Sequence, residues 1–199
     1  SSCNGNEQRV GAWAAVGDKT VELGSATFSS RLHPIMNDES DVDPATLAEA
    51  FADAGGIYPA DTYKTKGAAT AEEFFTILVE EAEAEGVDPL AVYAQLVYET
   101  GYLRFGGDVK AEQCNFCGLG ATGAGAGGAT FPSVRAGIRA QVQHLKAYAS
   151  TEDLVNECVD PRFEHVDRGC APYLESLGGR WAVSSSYGFG LSIIVDSLA

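Results

Sequence analysis

DPLAVYAQLVYETGYLRFGGDVKAEQCNFCGLG, residues 88–120, is the stretch whose reading decides the fold of this chain. Asp88-Pro89 opens a helix: the Asp side chain can cap the first free N–H groups, and proline suits the first helical position. From Leu90 to Tyr98 the residues are apolar on nearly every side, the mark of a fully buried helix. Glu99 lies one turn from Gln95 and Leu96 and two turns from Val92, so its carboxylate emerges among apolar side chains. Thr100-Gly101 ends the helix directly after it. A carboxylate at the end of a buried helix, opening on a Gly-rich loop, is set for a raised pKa. The competing reading is an ordinary helix-end Glu in solvent.

Upstream, Thr70-Ala71-Glu72-Glu73 has the spacing of a capping box, with Phe74, Ile77, Leu78 and Ala82 on one apolar face. The acidic run from Glu80 to Glu85 reads as the solvated side of that helix, and Gly86 stops it. Further back, Asp43-Pro44 starts another helix carrying Leu47, Ala48 and Phe51, which Gly55-Gly56 ends. Residues 1–33 read as a flexible arm with at most one weak hairpin around the alternating run Lys19–Leu23. Residues 34–66 read as a helical extension packed on a domain spanning 67–199. Downstream, Gly101 to Gly118 predicts a loop or small β-lobe. The glycines of Gly118–Gly123 fit a dinucleotide fingerprint only in spacing, because no buried strand precedes them. They read as a mobile edge loop. Pro132 leads into a long helix with Val134, Ile138, Val142 and Leu145 in register, and His144 stands one residue off that stripe. Ala171-Pro172-Tyr173 is expected to enter a further helix. The fold class expected is mainly α, with a small lobe of loop or β structure.

At 199 residues the chain is long enough for a real core, and 45% hydrophobic with 21% charged residues is ordinary for a globular protein. The charge is not ordinary: 28 acidic against 13 basic residues give −15, which argues against nucleic acid or an anionic membrane surface as partner. No apolar run approaches the length of a membrane span. Five cysteines favour an exported, oxidised chain, with Cys114, Cys117, Cys158 and Cys170 in disulfides of undetermined pairing. Cys3 is left over as a free or lipid-bearing thiol. A Cys₄ zinc site from the same four residues is the alternative.

The phrases AQLVYETGYLRFGG, NFCGLGATG and FPSVRAGIRAQVQHLKAYAS, taken together, resemble the glucosaminidase domains of bacterial cell-wall hydrolases, the family 73 glycoside hydrolases with a lysozyme-like helical fold. In that family a helix carries Ala-Gln, then Glu-Ser/Thr-Gly, and an Asn-Leu/Phe-x-Gly-Ile/Leu turn follows. The matching residues are Ala94-Gln95, Glu99-Thr100-Gly101 and Asn115-Phe116-Cys117-Gly118-Leu119. The resemblance runs from about Ala68 to the C-terminus. The family's closing phrase Tyr-Ala-Thr-Asp-Pro-x-Tyr is altered: Trp181 replaces its first Tyr, Val183-Ser184-Ser185 replaces Thr-Asp-Pro, and Tyr187 keeps its type.

The resemblance implies a secreted or cell-surface enzyme, working without cofactor or metal as a monomer. It would cut the β-1,4 bond after N-acetylglucosamine in peptidoglycan strands, with Glu99 as general acid. Asp108 or Glu112 in the lobe would supply a second carboxylate. Alternatively the sugar's own 2-acetamido oxygen attacks, with Tyr187 supporting the charged intermediate, and this is the favoured option. Gln95 and Asn115 belong to the same implied substrate site, and Phe105, Phe116 and Trp181 are candidate sugar-stacking rings. A muramidase or lytic transglycosylase of the same fold, or a non-catalytic wall-binding module, are the competing functions.

Overall fold

The computed structural model describes residues 7–16, 19–29, 32–121 and 127–198, and the chain divides into two units, residues 1–32 and 33–199. In the first, strand β1 (Glu7–Val16) pairs antiparallel with β2 (Lys19–Ser29), Val16 opposite Lys19 and Glu7 opposite Ser29. The register shifts by one residue at Ala12/Trp13, as at a β-bulge. The alternating run from Lys19 falls inside β2. Cys3, singled out as a leftover thiol, lies outside the described residues.

The second unit is mainly helical. Helix α1 (Pro44–Asp53) is followed by a short α2 (Ala60–Tyr63) and a 3-10 turn at Lys64–Lys66. Then come α3 (Ala71–Glu85), α4 (Pro89–Thr100), α5 (Val134–Ala149) and α6 (Tyr187–Asp196). The starts are those the sequence predicts: Asp43 caps Ala45 N at 2.9 Å, Thr70 caps Glu73 N at 3.1 Å, and Asp88 caps Leu90 N at 2.9 Å. Glu73 reaches back to Ala69 N, one residue before the expected partner of a capping box. Among the described residues no helix is long and apolar enough to cross a membrane.

One core joins these helices. Leu47 and Phe51 of α1, Phe74 and Leu78 of α3, Val92 to Val97 of α4, and Ile138 and Leu145 of α5 are buried together. Residues 34–66 contribute Ile35 and Tyr63, both fully buried, to this same core. Ile35 is also stitched by backbone, its N–H to Pro172 O at 2.9 Å and its carbonyl to Asp88 N at 2.8 Å. Ala171-Pro172-Tyr173 leads only into a 3-10 turn, Leu174–Leu177, because Tyr173 is held extended by a bridge to Pro34.

The acidic run on α3 is not a solvated face throughout. Glu81 and Glu85 are 3% and 2% exposed, because α5 brings cations against them. Arg135 and Arg139 hold Glu81 at 2.7 Å, and Lys146 holds Glu85 at 3.0 Å. Burial pushes the Glu81 carboxyl up, but hydrogen bonds and charge from Arg139 and Arg135 outweigh it, leaving Glu81 below its ordinary value.

The lobe between α4 and α5 is a loop lobe; it carries a 3-10 turn at Ala111–Gln113 and no strand up to residue 121. It begins with three successive left-handed residues, Gly101 (φ 59°), Tyr102 (57°) and Leu103 (60°), and Phe105 (51°) and Cys114 (50°) repeat the conformation. Each non-glycine residue so placed costs roughly 1–3 kcal/mol. The turn is paid for by bonds to the end of α4: Tyr102 N to Val97 O, Leu103 N to Thr100 Oγ1 and Phe105 N to Thr100 O, all at 2.9 Å.

The lobe seats directly on α5 at Gly137, where a Cβ would lie 1.8 Å from the Cys114 carbonyl oxygen. Alanine improves helix propensity by about 1 kcal/mol, but the backbone clash exceeds that gain. Gly137→Ala is expected to lose about 2 kcal/mol net, read as a lower urea midpoint at unchanged m-value. A midpoint at or above wild type would mean that the lobe moves aside freely.

The expected disulfides are not formed: Cys114, Cys117, Cys158 and Cys170 are all free thiols. A disulfide needs Cβ atoms about 4 Å apart, and the loop instead sinks its two cysteines into different surroundings. Cys114 faces the Tyr58 and Tyr63 side, where burial pushes its pKa up to about 11. Cys117 lies fully buried next to Glu99, and burial holds its thiol well above the usual range. Cys158 is exposed and Cys170 half-buried. No three His, Cys, Asp or Glu side chains converge to hold a metal among the described residues, so the four cysteines do not form the alternative zinc site.

Candidate functional site

Glu99 ends α4 where the helix, the lobe and α6 meet. Its Oε1 accepts the Tyr187 hydroxyl at 2.5 Å, and Trp181 lies near enough to favour the charged carboxylate. Tyr187 comes from the first turn of α6, which packs against α4 through a T-shaped contact of Tyr187 with Tyr98. Gly190 permits that approach, since a Cβ there would meet the Tyr98 ring at 2.9 Å, while Gly188 seats α6 on the Leu174–Leu177 turn, where a Cβ would meet Leu174 O at 2.1 Å.

Behind Tyr187 stands a directional chain of hydrogen bonds. Gln141 Nε2 donates to Val92 O at 3.1 Å and to Gln95 Oε1 at 3.0 Å; Gln95 Nε2 donates to the Tyr187 oxygen at 3.2 Å. A backbone carbonyl can only accept, so the Gln141 atom facing it is nitrogen. That choice fixes the Gln95 amide, and the Tyr187 oxygen, already accepting, must spend its proton on Glu99. Gln95 and Gln141 are fully buried, so the orientation is built into the core.

The Glu99 pKa is raised above the ordinary glutamate value, chiefly by burial, with the hydrogen bonds from Tyr187 and Trp181 opposing. By surface area Glu99 is exposed, because a cleft opens on it. The two observations agree: the cleft admits small molecules, while dense protein around the carboxylate limits its hydration. With Oε1 engaged by Tyr187, the second oxygen is left toward the cleft, 3.9 Å from where a Cβ on Gly118 would lie. The proton of the neutral acid therefore belongs on Oε2, facing the space a substrate would enter. In Tyr187→Phe one bond that favours the carboxylate is gone, so the Glu99 midpoint is expected to move further up. Carboxyl ¹³C NMR titration checks this, and an unchanged or lower midpoint would contradict the contact.

The cleft has a volume of about 230 Å³, and Phe105, Asp108, Asn115, Phe116 and Gly118 line it with Glu99. Of the two lobe carboxylates expected as partners, Asp108 faces this cleft, while Glu112 sits exposed on the Ala111–Gln113 turn outside the lining. Tyr187 is 4% exposed, and its hydroxyl is taken up by Glu99 and Gln95, which makes it a positioning residue for Glu99. Gln95, expected in the substrate site, is likewise a support. Asn115 is 1% exposed, and its amide braces the loop through Leu119 N and O at 2.9 Å each and Ala129 O at 3.1 Å.

Phe116 is fully buried among Tyr63, Phe74 and Phe105, so it cannot offer a ring face to a sugar. Phe105 and Trp181 are half-buried, and each borders a cavity. Gly118 and Ala121 border the cleft, within the run expected at its edge; Thr122 and Gly123 lie outside the described residues. Sequence reasoning missed Gln141, although its place among the apolar positions of α5 is a readable sign of a buried polar link. It also placed no role on Arg162 and Arg180, whose turns carry no helical register to locate them.

No family profile and no solved structure matches this chain. One curated relative, an uncharacterized protein of Borreliella burgdorferi (strain ATCC 35210 / DSM 4680 / CIP 102532 / B31), is 45% identical over 109 residues. The match covers 55% of this chain and 53% of that protein, so the chain spans about half the length of the relative it matches.

Proposed function

We propose that this chain is a peptidoglycan hydrolase of lysozyme-like fold that cleaves the β-1,4 bond after N-acetylglucosamine, with Glu99 as general acid. The observation that carries the reading is the Glu99 carboxyl itself: its pKa is raised by burial, Oε1 is fixed by Tyr187, and its other oxygen is left toward a cleft. Such a group stays protonated closer to neutral pH than an exposed glutamate and delivers its proton in one direction. As the glycosidic C–O bond breaks, the Oε2 proton passes to the leaving oxygen. The 2-acetamido oxygen of the sugar attacks the anomeric carbon, and water then opens that intermediate while the Glu99 carboxylate takes the water's proton. A secreted or cell-surface location belongs to this reading, because the substrate lies outside the cell membrane.

Asp108 is the observation that favours a variant of this mechanism. It lines the same cleft as Glu99, and in this variant it is the lobe carboxylate that would activate water or attack directly. Asp108→Asn therefore separates the two: substrate assistance expects loss within about tenfold, whereas a nucleophile or base expects 10²–10⁴-fold. Glu112→Gln, outside the cleft, is expected to stay near wild type in either case. The function is tested by digesting purified peptidoglycan and identifying the new end. A GlcNAc reducing end supports the proposal, MurNAc would make the chain a muramidase, and anhydro-MurNAc a lytic transglycosylase. Binding to the wall without cleavage would leave only a binding module.

A further inference from the structure

On the far side of the Gly118–Ala121 loop lies a second cavity of about 230 Å³, bordered by Cys117, His144, Tyr148, Arg162, Arg180 and Trp181. Gly118 and Ala121 line both cavities, and Trp181, which borders the second, lies near enough to Glu99 to favour its charged form. The two cavities are therefore neighbouring compartments, with Glu99 on the first and the loop between them shared.

The chemistry of the second differs from that of the first. Its wall is aromatic: Trp181 packs edge-on against His144 at 4.8 Å and at a tilt against Tyr148 at 5.6 Å. His144 Nδ1 is held by Asp160 Oδ2 at 2.7 Å, and Asp160 Oδ1 accepts Arg162 N at 2.8 Å, so both oxygens of that buried carboxylate are already engaged. The Tyr148 hydroxyl donates to Arg180 O at 3.3 Å, tying the Arg180 backbone to the wall. In a chain with 13 basic residues against 28 acidic ones, two arginines stand at the rim of one small cavity. Among the described residues neither guanidinium forms an ion pair, whereas Arg135 and Arg139 on α5 are both spent on α3. Burial pushes the Tyr148 phenol up, with Cys170 and Asp160 adding to it, and the charges of Arg162 and Arg180 pull it down, so both cations act on this space.

We propose that this second cavity is a subsite for a carboxylate group carried by the glycan beside the bond whose leaving oxygen Glu99 protonates, with Arg162 and Arg180 as its counter-charges and Trp181 as the platform for the sugar ring. Guanidinium groups recognise carboxylates by paired N–H donors, and an aromatic face with a charged rim is suited to an acidic amino sugar. The proposal rests on the peptidoglycan reading. In that polymer a carboxylate comes from two sources, the lactyl group of muramic acid or the peptide attached to it.

Isothermal titration calorimetry at low salt distinguishes them. The probes are neutral tri-N-acetylchitotriose, the GlcNAc–MurNAc disaccharide with its lactyl carboxylate free, and the same disaccharide bearing its peptide. Wild type is expected to bind an acidic probe at least about tenfold more tightly than the neutral one, a preference that added salt erodes. In the doubly substituted Arg162→Gln/Arg180→Gln protein the acidic-to-neutral ratio is expected to fall to within about twofold of unity. Both arginines are exposed, so the variant is expected to fold, which circular dichroism checks. Preference for the bare disaccharide assigns the lactyl group; preference only for the peptide-bearing probe assigns the peptide. Equal binding of acidic and neutral probes by wild type, no binding of any probe, or an undiminished ratio in the double variant overturns the subsite. Cleavage of peptidoglycan with no charge preference would leave the hydrolase standing without the subsite. Arginine-dependent acidic binding without cleavage would do the reverse.

Discussion

Glu99→Gln is expected to fold, to keep binding glycan, and to lose cleavage by at least about a thousandfold. The amide preserves size and can still accept from Tyr187, but it has no proton to deliver to a leaving oxygen, and general acid catalysis accounts for 10²–10⁴-fold of rate. The assay is release of reducing ends from purified peptidoglycan; retained activity would place the acid elsewhere. A second readout does not depend on activity. Because the Glu99 pKa is raised in the folded chain, the native state binds this proton more tightly than the unfolded one. The resulting stabilisation is complete below the unfolded glutamate value of about 4.3 and is lost as pH rises through the native midpoint. At pH 7–8 the glutamine variant should therefore melt above wild type, and the gap should close toward pH 4. A gap that is flat with pH would contradict the raised pKa.

Lys146→Met is expected to be the most damaging single change away from the cleft. Lys146 and Glu85 are each 2% exposed and bonded at 3.0 Å, and Glu85 also accepts Val155 N at 3.0 Å and Asn156 N at 2.9 Å. Removing the cation leaves a carboxylate buried against two backbone dipoles alone, at a cost of about 3–5 kcal/mol. Glu85→Gln added to it should recover part of that loss, because the amide oxygen can keep one backbone bond without the charge. Urea denaturation of the two single variants and the double gives the coupling. Additive losses would show that the pair is not acting as a pair.

Helix α4, its capping Asp88 and its terminal Glu99 were legible because every signal for them is local: cap, period and stop lie within one segment. The same held for α3 and α5 as separate helices. What the sequence hid was their pairing. The acidic run on α3 reads as solvent-facing until α5 supplies Arg135, Arg139 and Lys146, a contact between segments more than fifty residues apart. Phe116 failed for a related reason: position in a motif turn says nothing about which way a ring points, and here it points into the core. The disulfide expectation came from counting cysteines, whereas Cys114 and Cys117 are kept apart by the different surroundings in which the loop buries them. The link from Gln141 through Gln95 to Tyr187 joins α5, α4 and α6, and only assembled helices reveal its direction.

The left-handed start of the lobe bears on how this chain can change under selection. At Leu103, 4% exposed, a switch to glycine or asparagine would relieve roughly 1–3 kcal/mol of backbone strain but forfeit about 2–5 kcal/mol of buried side chain, so the exchange gains no stability. Tyr102, packed on Phe51 at 6.2 Å, is held by the same balance. Phe105 is only half-buried, so the cheapest relief lies there. A population selected for heat resistance alone would drift first at Phe105, and would acquire its robustness by altering the wall of the cleft beside Glu99.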